Sequence, residues 1–283
     1  MIAAIASEYR KFFSTRMWWV LTACMFAYFF LMAGGLGWAF GFAGTSGTAG
    51  ASGSAGSSGT SGGMPAGPPE QMVSTIYGLA PSLGYVFPVI VGAMAVTAEY
   101  RHATIVPTFL AEPRRWVVML AKAIAAVPMG LVIGLIGTLA CVGGGAIGLA
   151  IAGIDPLLGQ AATWQHAGLS VVASAIWALV GVGLGTLITS QVGAIVSVVV
   201  YNQLVEPLLR MGLGFVPAVA PAAKFFPGAA AEATTGGSSI YSMTGIAGGA
   251  GSLNAWQGAL VLAGYGIVFG LVGYALRTRR DVS

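Results

Sequence analysis

The sequence predicts an all-α polytopic membrane protein with six transmembrane helices, and three observations predict it. The 283 residues are 57% hydrophobic and only 7% charged, with a mean hydropathy of +0.85, whereas an ordinary soluble domain is about 25% charged. Several uncharged runs are long enough for a bilayer, which needs roughly 20 apolar residues per helix. The basic residues form three clusters, each beside such a run, which is the distribution that orients membrane proteins. Six spans with both termini on one side put ten of the twelve Lys and Arg residues on that side, leaving Arg210 and Lys224 on the other. The positive-inside rule therefore places both termini in the cytoplasm. No single basic patch exists, so the positive net charge does not point to nucleic acid.

Residues 2–16 place Ile2, Ile5, Ala6, Tyr9, Phe12 and Phe13 on one helical face and Ser7, Glu8, Arg10, Lys11, Ser14 and Thr15 on the other. That pattern predicts an amphipathic helix lying in the interface. Met17 to about Phe40 is the first span, with Trp18, Trp19 and Trp38 at the two aromatic belts. An outer loop follows over 41–73. Its glycine recurs at every third position from Gly41 to Gly62, as in collagen but without the proline that stabilises such helices. A short bundle of extended glycine-rich helices and a flexible linker both fit, and the composition favours the linker.

The second span is expected over about 74–98, with a late start or a kink because Pro81 and Pro88 lie inside it. A polar hairpin over 99–116 leads to a third span, about 116–151, longer than one crossing requires. Asp155, Pro156, Gln160 and Trp164–His166 are expected in an outer loop. The fourth span is about 169–188, Thr189–Gln191 a very short turn, and the fifth about 192–211. Residues 212–252 form an outer segment with Lys224 and Glu232. Its apolar part, 215–226, is too short and proline-rich to span and fits a pair of re-entrant or interfacial helices. The sixth span is about 255–276. All of this makes one transmembrane domain over 1–283.

The chain carries no HExxH, no Cys/His cluster, no GxSxG and no GxxxxGK[ST]. His102 and His166 fall on opposite sides of the membrane in this topology. Cys24 and Cys141 lie in apolar runs and read as small packed hydrophobes. The chain is therefore not expected to be an enzyme or to bind a metal.

Glu99–Lys122, EYRHATIVPTFLAEPRRWVVMLAK, holds four of the twelve basic residues and two of the eight acids. A second span running into this stretch, then a third span, resembles the permease subunits of ABC-2-type (type V) exporters. The matching features are Glu99–Arg101, the Ala103–Thr104 pair where the family has Gly-Thr, Leu110–Pro113 and Lys122. Pro107 departs from the family pattern. The resemblance extends to the whole topology: an interfacial first helix, six spans, a coupling loop after span two, a very short one after span four, and re-entrant segments between spans five and six.

That resemblance implies an exporter subunit in a bacterial plasma membrane. It implies a homodimer or a heterodimer with another permease, joined by two separately encoded ATPase subunits that bind the ATP and Mg. Glu99, Arg101, Arg114 and Arg115 would supply a charged docking surface, and Tyr100, Ile105 and Phe109 the packed contacts. His102 and Thr104 belong to the same coupling segment. In a chain without such a partner, the same loop is a solvated turn whose charges only set topology.

In the fifth span Asn202, Gln203, Glu206 and Arg210 share one helical face by spacing. Polar groups there face a bundle interior or a water-filled path, and in the family this span lines the translocation route. The alternative for Glu206 and Arg210 is an i,i+4 ion pair that ends the helix. The small-xxx-small pairs Gly130/Gly134, Gly181/Gly185 and Gly266/Gly270 are packing features at most. The function expected from the resemblance is ATP-driven export of a hydrophobic or amphiphilic compound (a drug, antibiotic, peptide or lipid). The alternative is an ATP-independent ion-coupled carrier or channel with Glu206 as its ionisable residue, and a non-transporting membrane scaffold is a third.

Overall fold

The computed structural model describes residues 2–14, 16–48, 69–101, 114–188, 190–216, 218–236 and 253–278. Every regular element among them is helical. Six segments are long and apolar enough to cross a membrane: Trp18–Phe40, Met72–Arg101, Trp116–Ile151, Ala161–Leu187, Gln191–Gly214 and Ala255–Leu276. The chain is an all-α, multi-pass membrane protein.

Helix α1 (Ile2–Ser14) leads into α2 (Met17–Thr48). Helix α2 runs two turns past Phe40, so the outer loop expected from residue 41 begins as helix. Once nucleated, a helix gains one hydrogen bond per added residue, which offsets the roughly 1 kcal/mol that each glycine costs relative to alanine. The rest of the glycine repeat lies outside the described residues.

The second span is built from α3 (Pro69–Tyr77), α4 (Leu79–Gly84) and α5 (Val86–Arg101). The breaks fall at Gly78 and Tyr85, each three residues before a proline. A proline lacks the N–H and its ring presses on the carbonyl four residues back, here those of Tyr77 and Gly84. The chain stays coiled across both, with Gly78 N–H donating to Ser74 O at 2.9 Å and Val89 N–H to Tyr85 O at 3.1 Å. The interruption expected from the prolines is present, as two breaks.

Helix α6 (Arg115–Ile151) has 37 residues and continues through Pro128. At 1.5 Å per residue it is about 55 Å long, well beyond a hydrocarbon core of about 30 Å. Helix α7 (Ala161–Leu187) starts earlier than expected, so Trp164–His166 belong to its first turns and not to the loop. The short turn before α8 (Gln191–Val200) is as expected, with Ser190 Oγ accepting from Gly193 N–H at 3.2 Å as its cap. The fifth span continues through a π-helical turn, Tyr201–Val205, into α9 (Glu206–Gly214). A 3-10 turn (Ala220–Phe225) and α10 (Pro227–Thr234) follow, then α11 (Ala255–Thr278). The short helices expected between spans five and six thus fall over 220–234 and extend past the apolar stretch 215–226.

Spans two, three and four form the centre, each 56% buried over its most apolar window, against 22%, 22% and 17% for spans one, five and six. Met25 and Phe29 of α2 meet Ile76, Met129 and Ile133 in one core. Tyr85, Trp177, Val180, Ala230 and Leu262 form another. Backbones come close where side chains are absent. A Cβ on Gly92 of α5 would overlap the Ala178 carbonyl of α7, and one on Gly148 of α6 would overlap that of Gly34 in α2. Gly130 and Gly134 pack on Ala175 and Ser174, Gly181 and Gly185 on Val89 and Ala93, while Gly270 faces open space. Cys141 is buried and Cys24 exposed, both as free thiols.

Candidate functional site: two buried ion clusters

The first cluster lies at the end of the bundle where α1, the last turn of α5 and the first turns of α6 meet. Lys122 is only 1% exposed, Glu99 4% and Glu8 8%. The Lys122 ammonium has three N–H donors, and three acceptors surround it. It donates to Glu8 Oε2 at 3.0 Å and to Ala95 O at 2.7 Å, and pairs with Glu99 Oε1 at 2.9 Å. Lys11, half-exposed, bridges the same two acids, reaching Glu99 Oε1 at 2.7 Å and Glu8 Oε1 at 3.1 Å. Two carboxylates and two ammonium groups balance, as buried charges must. Burial works to lower the Lys11 pKa, but its hydrogen bond to Glu99 and the charges of Glu8 and Glu99 outweigh that and raise it above the usual 10.5. Glu99 Oε2 is buried without a hydrogen-bond partner among the described residues.

This corrects the expectation that Glu99 offers a docking surface. Its carboxylate is inside the bundle, where Lys122 and Lys11 compensate it. Glu8 likewise does not share the wet face of α1. Tyr100 is half-buried and packs against the cluster of Val96, Ala126, Ala178 and Val182. Arg101 and Arg114 are exposed, and Arg115 opens α6. His102, Thr104, Ile105 and Phe109 lie outside the described residues, as does the rest of the hairpin over 102–113.

The second cluster is at the opposite end. Glu206 (1% exposed) and Arg210 (8%) form the i,i+4 ion pair. Arg210 Nε donates to Glu206 Oε1 at 3.0 Å and Nη2 donates to the same oxygen. Arg210 Nη1 reaches both oxygens of Glu232 at 3.2 and 3.1 Å. The Glu206 carboxylate also receives the N–H groups of Gly228 and Ala229, each at 2.8 Å. These are unsatisfied donors of the first turn of α10, whose positive end favours a carboxylate. Pro227 before them has no N–H to satisfy. A Cβ on Gly228 would lie 2.6 Å from Glu206 Oε1, so the close approach requires glycine.

Asn202 joins this group, but Gln203 is exposed and does not. The π-helical turn is wider than an α-turn, and the four expected residues do not stay on one face through it. Asn202, Glu206, Arg210 and Trp177 line a cavity of about 30 Å³. Asn202 Oδ1 and Trp177 Nε1 are buried there without a partner among the described residues. One acceptor, one donor and this volume suit an ordered water.

Sequence reasoning did not pair Glu8, Lys11 or Glu232 with these sites. The available signal was scarcity: each is a charge beside apolar runs, and each must find a counter-ion. Among the described residues no three His, Cys, Asp or Glu side chains gather as metal ligands do. In comparisons with known proteins, no family model matches the chain and no curated protein matches it.

Proposed function

We propose that this chain is the membrane-spanning permease subunit of an ATP-driven exporter, dimeric, with both termini in the bacterial cytoplasm and two separate ATPase subunits. The observation that carries this reading is the Lys122–Glu99–Glu8–Lys11 cluster at the base of the 102–113 segment. A load on that segment passes to span two through Glu99, to span three through Lys122 and to the interfacial helix through Glu8. Such stiff ionic linkage serves a protein driven from outside its membrane domain and has no use in a solvated turn. ATP and Mg would be held by the partner subunits. The apolar outer faces of spans one, five and six suit a permease dimer and a hydrophobic or amphiphilic cargo. The ion-coupled alternative needs Glu206 free to exchange a proton or ion, whereas its carboxylate is fully engaged by Arg210 and α10.

The test is purification from native membranes in mild detergent with identification of the co-purifying proteins. A stoichiometric soluble partner with a GxxxxGK[ST] loop is expected, and transport should stop when it is deleted. Transport that persists without any such partner sinks the reading. In the complex, the double variant Tyr100→Ala, Arg101→Ala should uncouple ATP turnover from transport while insertion stays intact. Unchanged coupling there would remove these two residues from the coupling surface.

A further inference from the structure

A cavity of about 230 Å³ opens at the same end of the bundle as the Glu206 cluster, beside that cluster's smaller cavity with which it shares Pro81 and Thr235, and is bounded by α3, the far half of α6 and the start of α7. Its polar lining includes Glu70, Tyr77, Thr163, His166, Ser170 and Thr235. The hydrogen bonds of these groups run one way. Tyr77 OH donates to Pro156 O at 2.9 Å, Thr163 Oγ1 to Leu157 O at 3.0 Å, Ser170 Oγ to His166 O at 2.8 Å and Thr235 Oγ1 to Glu232 O at 3.0 Å. A hydroxyl has one proton and two lone pairs, so these four retain acceptors alone. His166 Nδ1 lies 2.7 Å from Thr235 O. A carbonyl only accepts, so Nδ1 carries the proton, and in the neutral ring Nε2 is an acceptor.

Glu70 adds a carboxylate at the exposed rim, and no Lys or Arg is among the described residues that line the space. Ser74, Thr138 and Gln160 also line the space and can serve as donor or acceptor. Val73, Val142 and Leu157 supply an apolar wall. The volume is several times the ~30 Å³ of one water but smaller than the roughly 300–1,000 Å³ of drug-sized sites.

We propose that this cavity binds a small organic ammonium, a primary amine with a short apolar tail. An ammonium brings three donors and no acceptor to a lining that offers mostly acceptors and one negative charge. Its hydrocarbon meets the valine and leucine wall, and the Tyr77 ring lies within the lining for a cation–π contact. The ammonium comes from a free amine or from a phosphatidylethanolamine headgroup. The inference concerns this cavity alone and holds whether or not the chain works with ATPase subunits.

The test uses the purified full chain in phosphatidylcholine nanodiscs, titrated calorimetrically with 2-phenylethylamine, 2-phenylethanol and 3-phenylpropanoate. The amine should bind saturably, the alcohol about tenfold more weakly and the acid without detectable heat. Glu70→Gln, at an exposed position, should weaken amine binding by about tenfold without changing the melting temperature. Ser170→Ala, which deletes a buried acceptor, should weaken it as well. Competition by phosphatidylethanolamine added to the discs assigns the site to the headgroup, and its absence assigns it to the free amine. Equal binding of amine and alcohol, saturable binding of none of the three, or amine binding untouched by both substitutions would each overturn the proposal.

Discussion

At one end of the bundle Lys122 and Lys11 gather acids from across the chain, with partners 114 and 88 residues away. At the other, Arg210 finds its first acid four residues back and its second 22 residues on. Both clusters bury carboxylates, yet they balance charge differently. The first has equal numbers of acids and ammonium groups and still leaves Glu99 Oε2 unpartnered among the described residues. The second has two acids for one cation, and the end of α10 supplies the missing positive potential through two backbone N–H groups. A charge balanced by side chains alone can be broken by one substitution. A charge shared with a helix end is held partly by backbone and is harder to undo.

The largest expected effect follows from this difference. Lys122→Met removes the cation that Glu8 and Glu99 share, leaving two buried carboxylates with only the half-exposed Lys11. Breaking a buried pair from one side costs about 3–5 kcal/mol, so thermal unfolding in detergent should show a large drop in melting temperature. Adding Glu8→Gln and Glu99→Gln to that variant should restore much of the loss. A triple variant no more stable than the single one would mean that packing of the lysine stem, and not charge, dominates.

Glu206→Gln should cost less, about 1.5–3 kcal/mol, the range for hydrogen bonds to a charged group. Arg210 keeps Glu232, and the amide oxygen can still accept from α10. Proteolysis near residues 227–236 should report the loosened helix. If Glu206→Gln proves as damaging as Lys122→Met, the backbone contribution claimed for the second cluster is wrong.

Lys11→Gln should be smallest, within about 0–1 kcal/mol, because Lys11 is half-exposed and solvent screens its pairs. Its pKa is raised in the folded chain, so its contribution is complete below about pH 10.5 and fades as pH rises through the higher folded value. Wild type and variant should therefore differ at neutral pH and converge in strong alkali. A difference that grows with alkali would contradict the ion-pair assignment.

Much of the fold was legible because hydropathy and proline act locally. The six spans, an interruption around Pro81 and Pro88, and the turn at Ser190 all follow from neighbours in sequence. The i,i+4 pair of Glu206 and Arg210 was legible for the same reason. Glu8 was misread because helical periodicity assumes that a polar face is wet, and only tertiary contact with Lys122 shows otherwise. Glu99 was read as exposed through its place beside a charged loop. The end of α2 was misplaced because glycine, alanine and serine weaken a helix without forbidding it. Gln203 was grouped with Asn202 because an unbroken α-period was assumed.

The π-helical turn at Tyr201–Val205 is the place where the fifth span can change its residue count. It is in effect one residue more than an α-helix of the same rise needs. Deleting a single residue there would hardly alter the span's composition or length. Four α-helical residues turn and rise about as far as these five, so everything downstream would keep its facing. Glu206 and Arg210 would still meet Gly228 and Glu232, whereas a deletion elsewhere in the span would turn them about 100° away. In this span a one-residue gap within those five residues is compatible with the second cluster, and the same gap outside them is not.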